Sequence, residues 1–244
     1  MSGSSLRSMV VGGIVQRLIG ASGRTQSAVA AAGEVQATTL SRFTRGTRGL
    51  SEGELSVLAW RLGVTARHDR RMLVETNRDR DRTEWWLRGG HRSLLDQAHE
   101  VIRDNTLAIV SYSPHEIPAQ LRPTAQRPPV PGRYYLGRPA VVSLVPAGGR
   151  EQIEHLITLS ARSGIEIVVV EPHRHAVPFH LLHLASGRNV VRIDINDSAL
   201  YLEHPDDITR FEQLVNTISL NADGSTLTAL DDLLSTTDRL AGTG

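Results

Sequence analysis

Apolar residues recur at helical spacing through the first quarter of the chain. From Met9 to Ile19, Ile14, Val15 and Leu18 fall on neighbouring turns. Thr25 has the chemistry of an N-cap, and Ala28 to Ala32 follow it as a short helix of small side chains that lets another helix approach closely. Gly33-Glu34-Val35-Gln36 reads as a turn. A third helix then runs from Gln36 or Ala37 to Phe43, with Leu40 and Phe43 facing inward, and Gly46 stops it. Ser51 and Glu54 have the spacing of a capping box, and Leu55, Leu58, Ala59 and Leu62 repeat behind them on one helix face. The pattern predicts an all-α domain over residues 9–64.

Beyond it the pattern changes. Residues 65–90 are polar and mixed in charge sign, as in Arg67-His68-Asp69-Arg70-Arg71, and read as a linker or a connecting helix. Trp85 and Trp86 follow as anchors against a core. Leu94 to Val101 has helical spacing, as does Gln152 to Leu159. Short apolar runs predict strands at Leu107–Tyr112, Ala140–Val145, Ile165–Val170, Phe179–Leu184, Val190–Ile195 and Ala199–Leu202. Between Ile117 and Gly132 stand Pro118, Pro123, Pro128, Pro129 and Pro131, which no helix interior tolerates, so this stretch is a surface loop or a lid. Pro205–Leu214 and Leu227–Leu234 read as closing helices. Strand, helix, strand implies one crossover unit, and the later strands a meander added to it. The fold expected over 91–237 is α+β (or α/β).

Composition narrows the chemistry. The 244 residues contain 0 Cys, which excludes disulfides, thiolate zinc sites, iron–sulfur clusters and cysteine nucleophiles. All 27 basic residues are Arg, so Schiff-base and phosphate-loop lysines are excluded as well. Aromatics are only 4% of the chain, too few for single-stranded nucleic-acid stacking platforms. The net charge of +1 hides an asymmetry: residues 1–80 hold 12 Arg against 6 Asp and Glu, the remainder 15 against 20. A basic front suggests polyanion contact. With no targeting segment and no 18-residue apolar run, a cytoplasmic, non-membrane protein is expected.

Two short helices joined by a tight turn and braced by others match a helix-turn-helix, whose second helix enters the DNA major groove. Here that helix is led by Gln36, Ala37 and Thr38. Glutamine can read adenine in a bidentate manner, and alanine or a threonine methyl can meet the thymine methyl. Arg42 and Arg45 lie towards its C-terminal side, better placed for phosphates. Gln26, opening the preceding helix, has an amide that can grip a phosphate.

Thr25-Gln26-Ser27-Ala28-Val29-Ala30 with Thr39-Leu40-Ser41-Arg42-Phe43-Thr44-Arg45-Gly46 resembles the lambda-repressor-like, or xenobiotic-response-element (XRE), helix-turn-helix regulators. The resemblance implies transcription regulation, with base reading by Gln36, Ala37 and Thr38 and backbone contact by Gln26, Ser41 and Arg42. Two positions depart from that pattern. The family's turn glycine falls at Glu34, with Gly33 one place early, and the usual acid before Arg-Gly is Thr44. A slipped turn would move the base-reading positions by one. The second half resembles the long C-terminal domain of unassigned role carried by actinobacterial regulators of this class. The matching segments are Gly149–Leu156, Ile165–Pro172, Pro178–Leu182 and Tyr201–Phe211. Ile117–Leu121 only approximates the usual motif there, and the shortened stretch from Gln126 to Pro139 implies a pocket that is missing or rebuilt.

The reading expected is a DNA-binding regulator of double-stranded DNA, a homodimer associated with the nucleoid, whose C-terminal domain dimerises and responds to a small-molecule or protein effector. No cofactor and no catalysis are expected. His173 and His175, two apart in a loop near Glu171, are weak metal candidates; His180 and His183, three apart, face opposite sides of a strand. Asp194 and Asp197 read as turn formers rather than paired catalytic carboxylates. Ala147-Gly148-Gly149-Arg150 reads as a plain loop, with anion binding at the helix start as the lesser alternative. The competing readings are an antitoxin-like protein-interaction module, and a DNA-tethered enzyme using His173, His175, Asp194 and Glu171.

Overall fold

The computed structural model describes residues 5–88, 92–144, 149–173, 176–220, 222, 228 and 230–235, the side chains of 92–95 excepted. An all-helical N-terminal region is followed by a mixed α/β domain with a seven-stranded sheet. The helices of the first region are α1 (Leu6–Ala21), α2 (Gln26–Ala32), α3 (Ala37–Thr44), α4 (Glu52–Arg61) and α5 (Arg67–Arg78). Then come β1 (Glu84–Leu87), α6 (Arg92–Asp104), β2 (Thr106–Ser113), a 3-10 turn (Ala119–Leu121), β3 (Gly132–Gly137), α7 (Arg138–Val142), α8 (Arg150–Ser160), β4 (Ile165–Val170), β5 (Phe179–Leu184), β6 (Asn189–Ile195), β7 (Ser198–Leu202) and α9 (Pro205–Leu220). The strand order is β1-β7-β6-β5-β2-β3-β4. The chain forms two compact units.

The first unit takes in residues 1–105 together with 195–204. Three of its helices, α1, α2 and α4, start where a side chain satisfies an unpaired first-turn N–H group. Ser5 accepts from the Ser8 N–H, Thr25 from that of Ala28, and Ser51 from that of Glu54 while the Glu54 carboxylate accepts from Ser51 N–H. Val10, Val11, Ile14, Val15, Val29, Leu40, Phe43, Leu55 and Leu58 fill the core between them. The polar stretch after residue 65 contains α5, an ordered part of this unit: Leu73 is buried, and buried Asn77 donates to the Leu50 carbonyl at 2.7 Å. β1 pairs antiparallel with β7, Trp85 opposite Tyr201.

The second unit takes in residues 106–194 and 205–244. β2, β3 and β4 are parallel neighbours, with α7 and α8 in the crossover between β3 and β4. β5 runs antiparallel to β2 and forms the expected meander with β6. Two elements differ from the sequence expectation. The run expected as a strand from Ala140 is helical through Val142, because Pro139 sits in the first turn, where its missing N–H costs nothing and its fixed φ suits a helix. The strand that takes its place is β3, in the stretch expected only as a shortened segment; Tyr134, Tyr135 and Leu136 are buried in it. Gly132 makes the pairing possible, since a Cβ there would lie 1.9 Å from the Ile109 carbonyl oxygen. The proline-rich loop is fastened rather than loose: Leu121 is buried, its carbonyl accepts from Gln152 at 2.8 Å, and Tyr134 donates its hydroxyl to the Val130 carbonyl at 2.5 Å. The closing helix is α9; the second expected one, Leu227–Leu234, lies partly outside the described residues, with 230–235 helical. Among the described residues, no helix is long and apolar enough to cross a membrane.

Candidate nucleic-acid interface

The turn between α2 and α3 decides which residues lead α3. Glu34 has φ +55, in the left-handed region, whereas Gly33 has φ −90. The Val35 N–H bonds back to the Ala30 carbonyl at 3.0 Å, and the Glu34 N–H to that of Ala31 at 3.3 Å. These are the two bonds of a Schellman motif with Glu34 in the position usually held by glycine. α3 ends in the same way with Gly46 (φ +70), and α4 with Gly63 (φ +89). Gly33 is a glycine for another reason: a Cβ would come within 2.9 Å of the Leu58 side chain on α4. The turn has not slipped, and α3 begins at Ala37 with Gln36 as its N-cap.

The amphipathic pattern of α3 follows from that start. Thr39, Leu40 and Phe43 are buried, while Gln36, Ala37, Thr38, Arg42 and Arg45 are exposed and Ser41 is half-buried. Gln36 makes no capping bond with its side chain. Arg45 lies back along the helix, donating from Nε to the Ser41 carbonyl at 3.0 Å and from a guanidinium nitrogen to the Ser41 hydroxyl at 3.3 Å, so the two present one polar unit. Gln26, half-buried at the start of α2, donates its amide to the Thr44 hydroxyl at 3.2 Å. Thr44 thereby fixes Gln26, a role available to it without the acid usual at that position. Among the described residues, Arg24, Arg42 and Arg45 form no ion pair with a carboxylate, and Glu34 is exposed at the entry to α3. That this acid itself holds the left-handed position of the turn is visible only in the backbone.

α3 is backed directly by α1. A Cβ on Gly12 would lie 2.5 Å from the Phe43 carbonyl oxygen and 2.9 Å from that of Thr44. The adjacent Gly13 faces Val101 on α6 with equal closeness. Arg17, one turn further, pairs with Glu100 and Asp104 of α6.

Among the described residues, the chemically suggestive groups of the second unit take separate partners. Glu171 pairs with Arg138 at 2.6 Å, the His173 backbone N–H donates to the Tyr112 hydroxyl at 2.9 Å, and His175 lies outside the described residues. Among the described residues, no group of His, Asp or Glu side chains is arranged to hold a metal. His180 and His183 do lie on opposite faces, as their pairing opposite Arg192 and Asn189 requires. His180 sits between the Ser111 hydroxyl, 3.0 Å from Nδ1, and Asp194, 3.4 Å from Nε2. Asp194 also takes two 2.8 Å bonds from Arg192. Burial pushes the Asp194 carboxyl up, but the bond from His180 and the charge of Arg192 outweigh it and hold the group at about 2. Ser111 at one end of this Ser-His-Asp row is buried, 1% exposed, while the Asp194 side chain at the other end is 42% exposed. The turn after it centres on Asn196 (φ +54), with Asp197 accepting from Ser198. Ala147 and Gly148 lie outside the described residues; α8 starts at Arg150, which pairs with Glu154.

Residues 130–229 match the model of a family described as a domain of unknown function (DUF5753). No curated protein matches the chain. One solved structure with some likeness is that of TrmBL2, an archaeal chromatin protein described as showing a novel mode of DNA binding. The match is 11% identical with a TM-score of 0.37, and it covers 59% of this chain and 54% of that one, so this chain spans about half of that protein.

Proposed function

We propose that the chain is a sequence-specific regulator of transcription that binds double-stranded DNA as a homodimer. α3 enters the major groove; Gln36, Ala37 and Thr38 read base edges, and Gln26, Ser41, Arg42 and Arg45 hold phosphates. The observation that carries this reading is the α2–α3 geometry. The turn at Glu34 leaves Gln36, Ala37 and Thr38 exposed at the leading end of α3, with exposed arginines on the same helix and Gln26 tied to its last turn. This is the arrangement in which the N-terminal residues of a recognition helix meet bases while flanking groups meet the backbone. A two-fold protein reads two half-sites about one helical turn apart, roughly 34 Å, hence a palindrome. The second unit serves dimerisation and response to a ligand or protein partner, without catalysis of its own, and the protein acts at the nucleoid.

The test separates base reading from phosphate holding. Gln36→Ala with Thr38→Ala should weaken binding to the preferred site by about 1–3 kcal/mol for each well-made base interaction removed, and change binding to unrelated duplex little. Arg42→Ala should weaken all duplexes about equally and lower the salt slope of binding by about 0.9. Equal binding by the wild type and both variants, on every duplex, would overturn the assignment.

A further inference from the structure

Helix α1 is held at its first turn by residues far away in the sequence. Glu203, just beyond β7, accepts the Leu6 backbone N–H on its carboxylate at 2.8 Å. Its own N–H donates to the Thr83 carbonyl, ahead of β1, at 2.8 Å. A carboxylate at this point is favoured twice, because the first-turn N–H groups have no helical partner and the helix dipole is positive there. Arg7 adds a second tie. It is 6% exposed and donates to the carbonyls of Asp79 and Glu84, each at 2.5 Å. Its guanidinium lies 6.0 Å from the centre of the Trp85 ring, and Trp85 packs on Tyr201 of β7 with centroids 5.7 Å apart.

The same helix reaches the recognition helix. Gly12 lies six residues along α1 from Leu6, about 9 Å. There α1 touches the last-turn carbonyls of α3 with no room for a methyl group. Packed elements in direct backbone contact shift together, since interiors are dense and barely compressible. From Thr44 the line continues to Gln26 through their 3.2 Å bond.

Resting on the DNA-binding reading above, we infer that Glu203 and Arg7 are positioning residues for DNA recognition, and that β7 sets the placement of α3 through α1. β7 belongs to the N-terminal unit, yet the chain enters it directly from β6 through the turn at Asn196. The placement of α3 thus has a named element within its own unit, β7, and a named latch, Glu203 on Leu6.

The experiment compares full-length wild type, Glu203→Ala and Glu203→Gln by amide hydrogen exchange and by DNA affinity. Glu203→Ala should speed exchange roughly tenfold in the first turn of α1 and measurably at Gly46 and Thr47. It should weaken binding to the selected site roughly fivefold or more with the order of preferred sequences unchanged. Glu203→Gln keeps an oxygen for Leu6 and should recover most of both. Coupling is reciprocal, so operator DNA should slow exchange in the wild type at 198–203 as well as in α3. Faster exchange in α1 with unchanged affinity, and no DNA protection of 198–203, would overturn the inference and leave the DNA-binding reading standing. If the wild type binds no duplex, the DNA-binding reading falls. The latch is then judged in the free protein: exchange that does not quicken at Gly46 and Thr47 in Glu203→Ala overturns the link from β7 to α3, and exchange that does quicken upholds it.

Discussion

Replacing Glu34 by glycine should stabilise the N-terminal unit, although glycine is ordinarily a costly residue. Glu34 stands at φ +55 in the C-terminal cap of α2, and the equivalent positions after α3 and α4 are Gly46 and Gly63. A side chain in that region costs about 1–2 kcal/mol. Glycine loses about 0.5–1 kcal/mol of that advantage through the extra freedom of its unfolded state. The net gain is roughly 0.5–1 kcal/mol. For a chain of this size that is a rise in Tm of roughly 1–4 °C. All 3 tryptophans, Trp60, Trp85 and Trp86, fall within the N-terminal unit, so their fluorescence in a urea titration reports that unit. Glu34→Gly should move the midpoint up with an unchanged slope. Gly33→Ala should move it down by about 1 kcal/mol, because its new methyl must displace the buried Leu58 side chain. The same Glu34→Gly change removes an exposed acid at the entry to α3, so DNA binding should tighten, most visibly at low salt. A lowered midpoint for Glu34→Gly would refute the assigned turn, and with it the choice of Gln36, Ala37 and Thr38 as leading residues.

Three further outcomes follow from the same geometry. Gly12→Ala should destabilise the N-terminal unit by about 2 kcal/mol or more and weaken DNA binding, since the new methyl meets carbonyl oxygens of α3 at 2.5 and 2.9 Å and backbone cannot step aside; an unchanged melting temperature would contradict the α1–α3 contact. The Asp194 carboxyl, held at about 2 against an ordinary 3.8, contributes stability that is fully present above the ordinary value and is lost as the pH falls through about 2. The shift corresponds to about 2 kcal/mol, reduced to roughly 1 kcal/mol because the side chain is 42% exposed and screened by solvent. Wild type and Asp194→Asn should therefore differ in urea midpoint near neutral pH and converge as the pH approaches about 2; a gap of constant size would place the effect elsewhere. Arg45→Ala frees the Ser41 hydroxyl and carbonyl as it removes a charge, so its loss of affinity should fall with rising salt more steeply than that of Ser41→Ala, measured by titration of a labelled duplex.

The legible parts of this protein are the local ones. Caps at Thr25 and Ser51, the stop at Gly46 and the inward Leu40 and Phe43 each depend on residues within one or two turns, so spacing alone places them. The side of a strand is also local, which is why the opposite facing of His180 and His183 can be read from parity. The illegible parts depend on partners distant in sequence. The short stretch between Gly132 and Gly137 becomes β3 only because β2 and β4 flank it, while the more apolar run at Ala140 becomes helix because Pro139 leads it. Nothing near Arg7 announces that its partners are the carbonyls of Asp79 and Glu84, or that Glu203 caps the start of α1. The conformation of Glu34 is a middle case: the sequence offers two turns differing by one residue, and the backbone takes the one with Glu34 at φ +55.

Base reading by α3 on a two-fold site is put to the proof by selecting genomic DNA fragments with purified full-length protein at roughly 0.15 M salt, with sequencing of the bound pool and footprinting of the winners. The expected result is an enriched palindrome whose half-sites lie about one helical turn apart, protected on one face of the duplex, and missing from the pool when Gln36 and Thr38 are both replaced by alanine. A pool with no enriched sequence, or the same enriched sequence for wild type and the double variant, would contradict it.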